Sequence, residues 1–325
     1  MLLFYNQGWR IATRRWRVGL LRYNCRMRRC VFSLILITHA GAQQSDIQKM
    51  TGRIAEEAEV FAHAARSVLS EETLEQRTRK PVARFRPQVV DPAAKAPNEE
   101  YLTREIVSEY GYSSFKDSPG ALHEFRTVTS VDGKKVLAVE KARRSLTLGI
   151  RSADDGAKKQ MLKDFEKHGL IGAATDFGQL ILLFTKRHLT DYQFAVAGQD
   201  RIGADTATVL SFKQEGGQES LTVFAGNAAL RSQLHGFVWV RNPDYLPLRI
   251  RLLSSRKDGL LVINTEGTVD YAMSAHGCVL PASVVHRDTV GGKLITENIF
   301  RYTPFRKFGA ESELKFDVPV DAPPK

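Results

Sequence analysis

The stretch Pro247-Leu248-Arg249-Ile250-Arg251-Leu252-Leu253-Ser254 decides how this chain is read. Leu248, Ile250 and Leu252 stand two residues apart with Arg249 and Arg251 between them, so as a β-strand the segment has one apolar and one charged face. Val269 and Tyr271 flank Asp270 in the same way. Strands of this kind belong in an antiparallel sheet that keeps one side dry and the other wet.

Outward from this stretch, short strands are predicted at Tyr192–Ala197, Thr206–Lys213, Ser220–Phe224, Gly236–Arg241, Pro247–Ser254, Leu260–Met273, Cys278–Val290 and Lys293–Tyr302. Turn residues separate them at Gly216-Gly217, Asn242-Pro243-Asp244, Lys257-Asp258-Gly259 and Gly291-Gly292. Upstream, Thr103–Tyr110 and Leu122–Val128 alternate imperfectly, and Asp132-Gly133 is a hairpin signal expected to return a strand from Val136 to Ile150. Two helices are expected among the strands: a charged one near Asp154 to His168, stopped by Gly169, and an apolar one from about Ala173 to Lys186 holding Leu180-Ile181-Leu182-Leu183-Phe184. The fold class expected is α+β, a strongly curved antiparallel sheet of roughly ten strands (an unclosed β-barrel) covered by helices, with an amphipathic helix at the N-terminal side.

That helix is read from Ser45 to about Glu72, where Ile47, Met50, Ile54, Ala58, Phe61, Ala65 and Val68 fall on one stripe and Ser45 with Gln48 would form a capping box. Residues 73–99, with Pro81, Pro87, Pro92 and Pro97, read as an extended linker.

The chain has 325 residues and a formal charge of +11. Eight of those charges are arginines within residues 1–42, which hold no Lys, Asp or Glu, so the remainder carries only +3 and no nucleic-acid partner is implied. Arg28-Arg29, the apolar run Cys30 to Ile37 and Ala40-Gly41-Ala42 read as the three parts of a signal peptide, with the true start at Met27 and cleavage near Ala42. The apolar run is too short for a stable transmembrane anchor. The expected organisation is therefore a leader at 1–42, a helix and linker at 43–99, the sheet domain at 100–317 with helices near 154–186, and a flexible tail at 318–325. A periplasmic or secreted location follows. Cys278 would be the lone cysteine of the mature chain.

Catalytic strings are missing from the sequence: there is no Gly-x-Ser-x-Gly elbow, no Walker phosphate loop and no His-Glu-x-x-His. His276 and Cys278 would make half a metal site, with His286 and Asp288 as further candidates, but read better as a surface His and a half-buried thiol. The acidic pairs Glu56-Glu57 and Asp154-Asp155 read as solvated helix faces. No catalytic residue, metal or cofactor is expected, and the chain is not read as an enzyme. Phe212, Phe224, Phe237, Trp239 and Phe300 are the large aromatics of the sheet, with Phe237 and Trp239 on one face. With Leu180 and Leu183, four of them (Phe212, Phe237, Trp239 and Phe300) are the residues expected to line an apolar ligand site, ordinary core packing being the alternative.

Several strings carry a resemblance: Arg104-Glu105-Ile106-Val107-Ser108-Glu109-Tyr110, Phe125-Arg126-Thr127-Val128-Thr129-Ser130-Val131-Asp132-Gly133-Lys134, Gly236-Phe237-Val238-Trp239-Val240, Leu248-Arg249-Ile250, Leu280-Pro281-Ala282-Ser283-Val284 and Phe300-Arg301-Tyr302. Over most of residues 45–317 the chain resembles a family of uncharacterised secreted proteins of Acidobacteria-type genomes. Its later half is also similar to the LolA/LolB-like lipoprotein-carrier superfamily, through the strand of Trp239, the turn Asn242-Pro243-Asp244, the outward Arg249 and Arg251, the strand of Tyr271 and Leu280-Pro281. That likeness implies an unclosed barrel with a helical lid around acyl chains; residues 45–120 depart from a compact carrier. The function expected is an exported protein that shelters an apolar or acyl ligand, lipid or lipoprotein acyl chains being the implied partners; the alternative is a non-catalytic structural or interaction module of the cell envelope with a filled core.

Overall fold

The computed structural model describes residues 30–80, 100–115, 118–152, 155–168, 177–216, 223–225, 228–230, 233–258 and 260–307. Two compact units divide the chain, residues 1–45 and Asp46–Lys325. In the first, the described part is helical backbone from Cys30. Everything below concerns the second.

Helix α1 (Cys30–Ala64) leads through a 3₁₀ turn (Ala65–Ser67) into β1 (Val68–Arg79). Then come β2 (Tyr101–Phe115), β3 (Ser118–Val131), β4 (Lys134–Lys135), α2 (Val139–Ser152), α3 (Asp155–Lys167) and 3₁₀ turns at Leu180–Phe184 and Leu189–Asp191. The remaining strands are β5 (Tyr192–Ile202), β6 (Asp205–Gln214), β7 (Val223–Ala225), β8 (Ala228–Leu230), β9 (His235–Arg241), β10 (Pro247–Asp258), β11 (Leu261–Met273), β12 (Val279–Val290), β13 (Lys293–Tyr302) and β14 (Arg306–Lys307). Twelve of them form one curved, unclosed antiparallel sheet in the order β4-β3-β2-β1-β13-β12-β11-β10-β9-β6-β5, with β14 also on β1; β7 and β8 pair apart. The sheet thus has twelve strands where roughly ten were expected.

The inner face is the apolar set the alternation predicted. Leu248, Ile250, Leu252, Val269 and Tyr271 are buried, while Arg249 and Arg251 stay half exposed on the outer face and reach Asp270 and Glu266 at 2.5 and 2.9 Å. Arg287–Glu297 and Arg301–Glu75, both at 2.6 Å, continue this run of cross-strand ion pairs. Met50, Ile54, Ala58 and Phe61 of α1 join Leu180, Ile181 and Phe184 in the same core as the inner sheet residues, so helix and turn fill the concavity. Ring contacts fix the packing: Phe61 meets Tyr112 edge-on at 5.5 Å, and Phe184 meets Phe212 at 4.9 Å.

Four local expectations are corrected. Ser45 lies inside α1 and does not cap it, and the helical stripe ends at Ala64, four residues before the chain becomes a strand at Val68. Residues expected as helix end and linker form β1, the strand between β2 and β13; its inward positions hold Glu72, Gln76 and Thr78 beside Leu74, too polar to register as a hydrophobic alternation. The strand expected from Val136 to Ile150 is replaced by α2, because Ala142, Leu146 and Ile150 recur every four residues and pack as a helical stripe; Leu146 and Ile150 join Leu69 and Phe125 on the outer face. The apolar run at Leu180 makes a 3₁₀ turn in place of the expected long helix, of which residues 173–176 lie outside the described part. The hairpin at Asp132-Gly133 is present, with φ of 49° and 73°, the left-handed pair such a two-residue turn needs.

Helix α3 has a structural task. Only Ser130 and Val131 of β3 are paired by β4, so the rest of that edge is bare of strand partners. There Met161 Sδ accepts the Arg126 N–H at 3.2 Å and Lys158 Nζ donates to the Glu124 carbonyl at 2.5 Å. The helix covers the edge that another strand would otherwise find.

Candidate functional site

Three places hold unusual chemistry. The first is a buried charged cluster on the inner face of β1, β2 and β3. Arg126, 1% exposed at its side chain, donates from Nε to Glu72 Oε1 at 2.7 Å and from Nη2 to Glu124 Oε2 at 2.5 Å. Its guanidinium lies over the rings of Tyr110 and Phe300, 5.0 and 5.2 Å from their centroids. Burial disfavours its charge, yet Glu72 and Glu124 outweigh that and hold it well above the ordinary guanidinium value. Glu124 Oε1 accepts the Gly178 N–H at 2.6 Å, which ties the segment before the 3₁₀ turn to the sheet. A Cβ on Gly178 would sit 2.6 Å from that oxygen and about 3 Å from the hydroxyls of Tyr110 and Tyr112. The phenols of Tyr110, Tyr112 and Tyr302 are pushed well above their usual value, first by burial and then by the carboxylates. Sequence reading passed over this cluster, and its signal was present: Glu124 and Arg126 interrupt the inward row of Leu122 and Val128.

The second is a polar row across five strands. Gln76 donates to Asn298 at 2.7 Å, Asn298 meets His286 Nδ1 at 3.1 Å, His286 Nε2 lies 3.3 Å from Asp288, and Asp288 accepts from Thr265 at 2.6 Å with Arg256 at 3.7 Å. Phe177 stacks on His286 at 4.8 Å. Both ring nitrogens of His286 are engaged and the ring is roofed, so it makes a buried structural link and offers no general base to a cleft.

The third is an apolar cleft of about 420 Å³ at the end of the sheet where β9 begins. Phe194, Phe212, Leu234, Phe237 and Leu253 line it, together with the polar Gln193, Lys213 and His235. Residues of both sheet faces meet there, since Phe212 points inward and Phe237 outward. Gly236 keeps the strands close: a Cβ on it would collide with the Arg251 carbonyl and press on the Phe212 ring. A second, larger groove of about 650 Å³ lies between β3, α2 and α3, lined by Phe125, Leu146, Leu148, Met161 and polar residues including Lys167.

The expected ligand residues are therefore divided. Phe212 and Phe237 meet at the cleft. Leu180 and Phe300 are buried in the core, and Leu183 is packed against it. Trp239 shares the outer face with Phe237, 6.1 Å away, and donates from Nε1 to Asp200 at 2.8 Å under Arg249. The side chain of Phe224 lies outside the described residues, as does Asp154. His276 is half-buried and pairs with the Phe305 carbonyl at 2.9 Å. Cys278, expected half-buried, is fully buried in the core and its thiol is pushed up by that burial. Glu57, expected solvated, is buried against Arg53 at 2.5 Å, whereas Glu56 is exposed. Among the described residues no three of His, Cys, Asp and Glu gather as a metal site.

The chain is similar in structure to a DUF1329 family protein from Desulfovibrio piger, at 12% identity and a TM-score of 0.33, over 82% of this chain and 96% of that one. It is similar to a LolA superfamily protein from Nitrosomonas europaea at 10% identity and 0.28, over 78% and 91%, and to an outer membrane lipoprotein-sorting protein domain from Vibrio parahaemolyticus at 12% and 0.32, over 81% and 94%. No family model matches the sequence. No curated protein matches it either. Among the described residues no helix is long and apolar enough to cross a membrane.

Proposed function

We propose that this chain is an exported, non-catalytic binding protein that holds one apolar or acyl chain in the cleft between β5, β6 and β9. The observation that carries this reading is the cleft itself: about 420 Å³, walled by Phe194, Phe212, Leu234, Phe237 and Leu253, with Lys213 also among its lining residues. That volume lies within the ~300–1,000 Å³ usual for small-molecule sites. An apolar wall beside a single cation suits a chain that ends in a carboxylate, the wall taking the methylenes and Lys213 the head. Export rests on the leader signals, and cleavage near Ala42 would leave Ser45 close to the new N-terminus, where it can cap the helix.

The test is displacement of a fluorescent fatty acid from the purified protein, with mass spectrometry of the same sample reading its N-terminus and any bound lipid. Phe237 is half-buried at the cleft, so Phe237→Ala should leave the fold intact and weaken binding about tenfold, the value of roughly 1.5 kcal/mol of lost apolar contact. Lys213→Glu should weaken binding of the acid more than that of the matching alcohol. Absence of binding by the wild-type protein would reject the reading in favour of a filled module of the cell envelope. That second reading is favoured by one observation, the dense packing of Leu180, Phe212 and Phe300 in the core.

A further inference from the structure

A short piece of the β3 edge lies open between the groups that close the rest of it. The Arg126 N–H points away from β2 to Met161 of α3, and in an antiparallel ladder the residue two further on has its backbone N–H and C=O on that same side. Val128 is that residue, standing opposite Ser108 as Arg126 stands opposite Tyr110. Beyond it the edge closes again, since Val136 and Leu137 donate to the Thr129 carbonyl at 2.8 and 3.1 Å. Among the described residues no group is hydrogen-bonded to the Arg126 carbonyl or to the N–H and carbonyl of Val128. Both residues turn their side chains to the inner face, yet both line the groove of about 650 Å³ between β3, α2 and α3, so it is their backbone that faces it.

The groove suits a chain that pairs through its backbone. Buried Leu146 and Met161 line it, and so do Leu148 and Val136, which are 62% and 50% exposed. A strand laid on β3 would exchange two hydrogen bonds with Val128 and turn alternate side chains toward these apolar groups, the way an extended peptide is read at a sheet edge. An acyl chain has no repeat of N–H and C=O with which to meet the open rungs. Charge narrows the choice of peptide. Lys141 and Arg144 stand one helical turn from Ser145 and Leu148 of the lining, Lys163 stands one turn from Lys167, and Lys135 precedes Val136; all four are exposed, and among the described residues none of them has an ion pair. Glu140 is an exposed acid of α2, and Asp164 is held by Gln160 and Lys167, both at 3.0 Å. Apolar walls among unpaired cations favour a segment in which apolar residues alternate with acids.

We infer that this groove docks an extended peptide segment of a partner protein, with apolar residues alternating with Asp or Glu, which adds to β3 as a short strand against Arg126 and Val128. Strands β3 and β5 lie toward opposite margins of the sheet, so the groove is separate from the cleft of β5, β6 and β9. Docking does not depend on the cleft being filled.

The experiment follows the fluorescence anisotropy of a fluorescein-labelled peptide of alternating Glu and Val titrated with the full chain. Wild-type protein should bind it, and should bind a peptide of alternating Lys and Val about tenfold more weakly. N-methylation of the peptide backbone removes the N–H donors and keeps the apolar side chains; it should weaken binding by about tenfold or more. Leu148→Asp, a change at an exposed position, should do the same. Arg144→Glu should weaken binding about fivefold, and less as salt is raised. Because the eight arginines of residues 1–42 attract such a peptide by themselves, hydrogen exchange supplies a local reporter: the Val128 amide should exchange more slowly in the complex. Equal affinity for the N-methylated peptide would overturn the inference, since the groove would then take any apolar chain. An unslowed Val128 amide would overturn it too, as would no binding of the Glu and Val peptide at about 1 mM. Phe237→Ala separates the two proposals: it should leave peptide binding equal to the wild type.

Discussion

Arg126 shows how much a single side chain can hold together. It is buried between two carboxylates and two aromatic rings, and it joins β1 to β3 across β2 while Glu124 carries the link on to Gly178. Removing the cation strands Glu72 and Glu124 in an apolar setting, which typically costs about 3–5 kcal/mol, a large share of a domain's stability. Arg126→Ala should therefore lower the urea midpoint sharply. Replacing all three with apolar residues of similar volume (Glu72→Leu, Glu124→Leu, Arg126→Met) should restore most of it. If the triple variant is no more stable than Arg126→Ala, the cluster contributes by a route other than charge pairing. Any such variant is read by denaturation and not by ligand binding, because the cluster lies away from the cleft.

At the scale of elements, α3 is informative because its work is done by backbone-directed groups. Lys158 and Met161 serve a carbonyl and an amide of β3 that have no strand partner. Lys158→Ala with Met161→Ala should cost about 1–3 kcal/mol in unsatisfied groups, and speed hydrogen exchange at the Arg126 amide. Light scattering should report association through the opened edge. Equal exchange in variant and wild type would show that the edge is protected by other means. Elements also mark what the sequence can reveal. The strands of Ile250 and Val269 were legible because their inward residues are all apolar. Strand β1 was not, since Glu72 and Gln76 point inward and find their partners, Arg126 and Asn298, far away in the chain. Helix α2 is hidden in the sequence because Val136 to Ile150 mixes apolar and polar residues closely enough to fit either period, and only the four-residue recurrence of Ala142, Leu146 and Ile150 favours the helix. The cleft is half legible: Phe212 and Phe237 stand out in the sequence as aromatics, but that strand ends bring opposite faces together is a property of the folded sheet.

For the molecule as a whole, the row from Gln76 to Arg256 spans β1, β13, β12, β11 and β10 and gives the sheet a pH dependence. Burial alone would raise the Asp288 carboxyl; the hydrogen bond and charge of His286, with Thr265 and Arg256, outweigh it and hold the group below the usual carboxylate range. A depressed folded-state value means that its stabilisation is complete above the unfolded value of about 3.9 and is lost as pH falls through the lower folded value. Denaturation midpoints measured from about pH 5 down to about pH 2 should fall less steeply for Asp288→Asn than for the wild type. Identical slopes would remove Asp288 from the acid response.

A barrel that closes on itself has its radius set by strand number and stagger. This sheet stops at β5 on one margin and at β3 and β4 on the other, so no such equation binds it. Its bend can relax by a small rotation at each of many ladders, and a change in the volume it encloses is then shared along the whole ribbon without breaking any one rung.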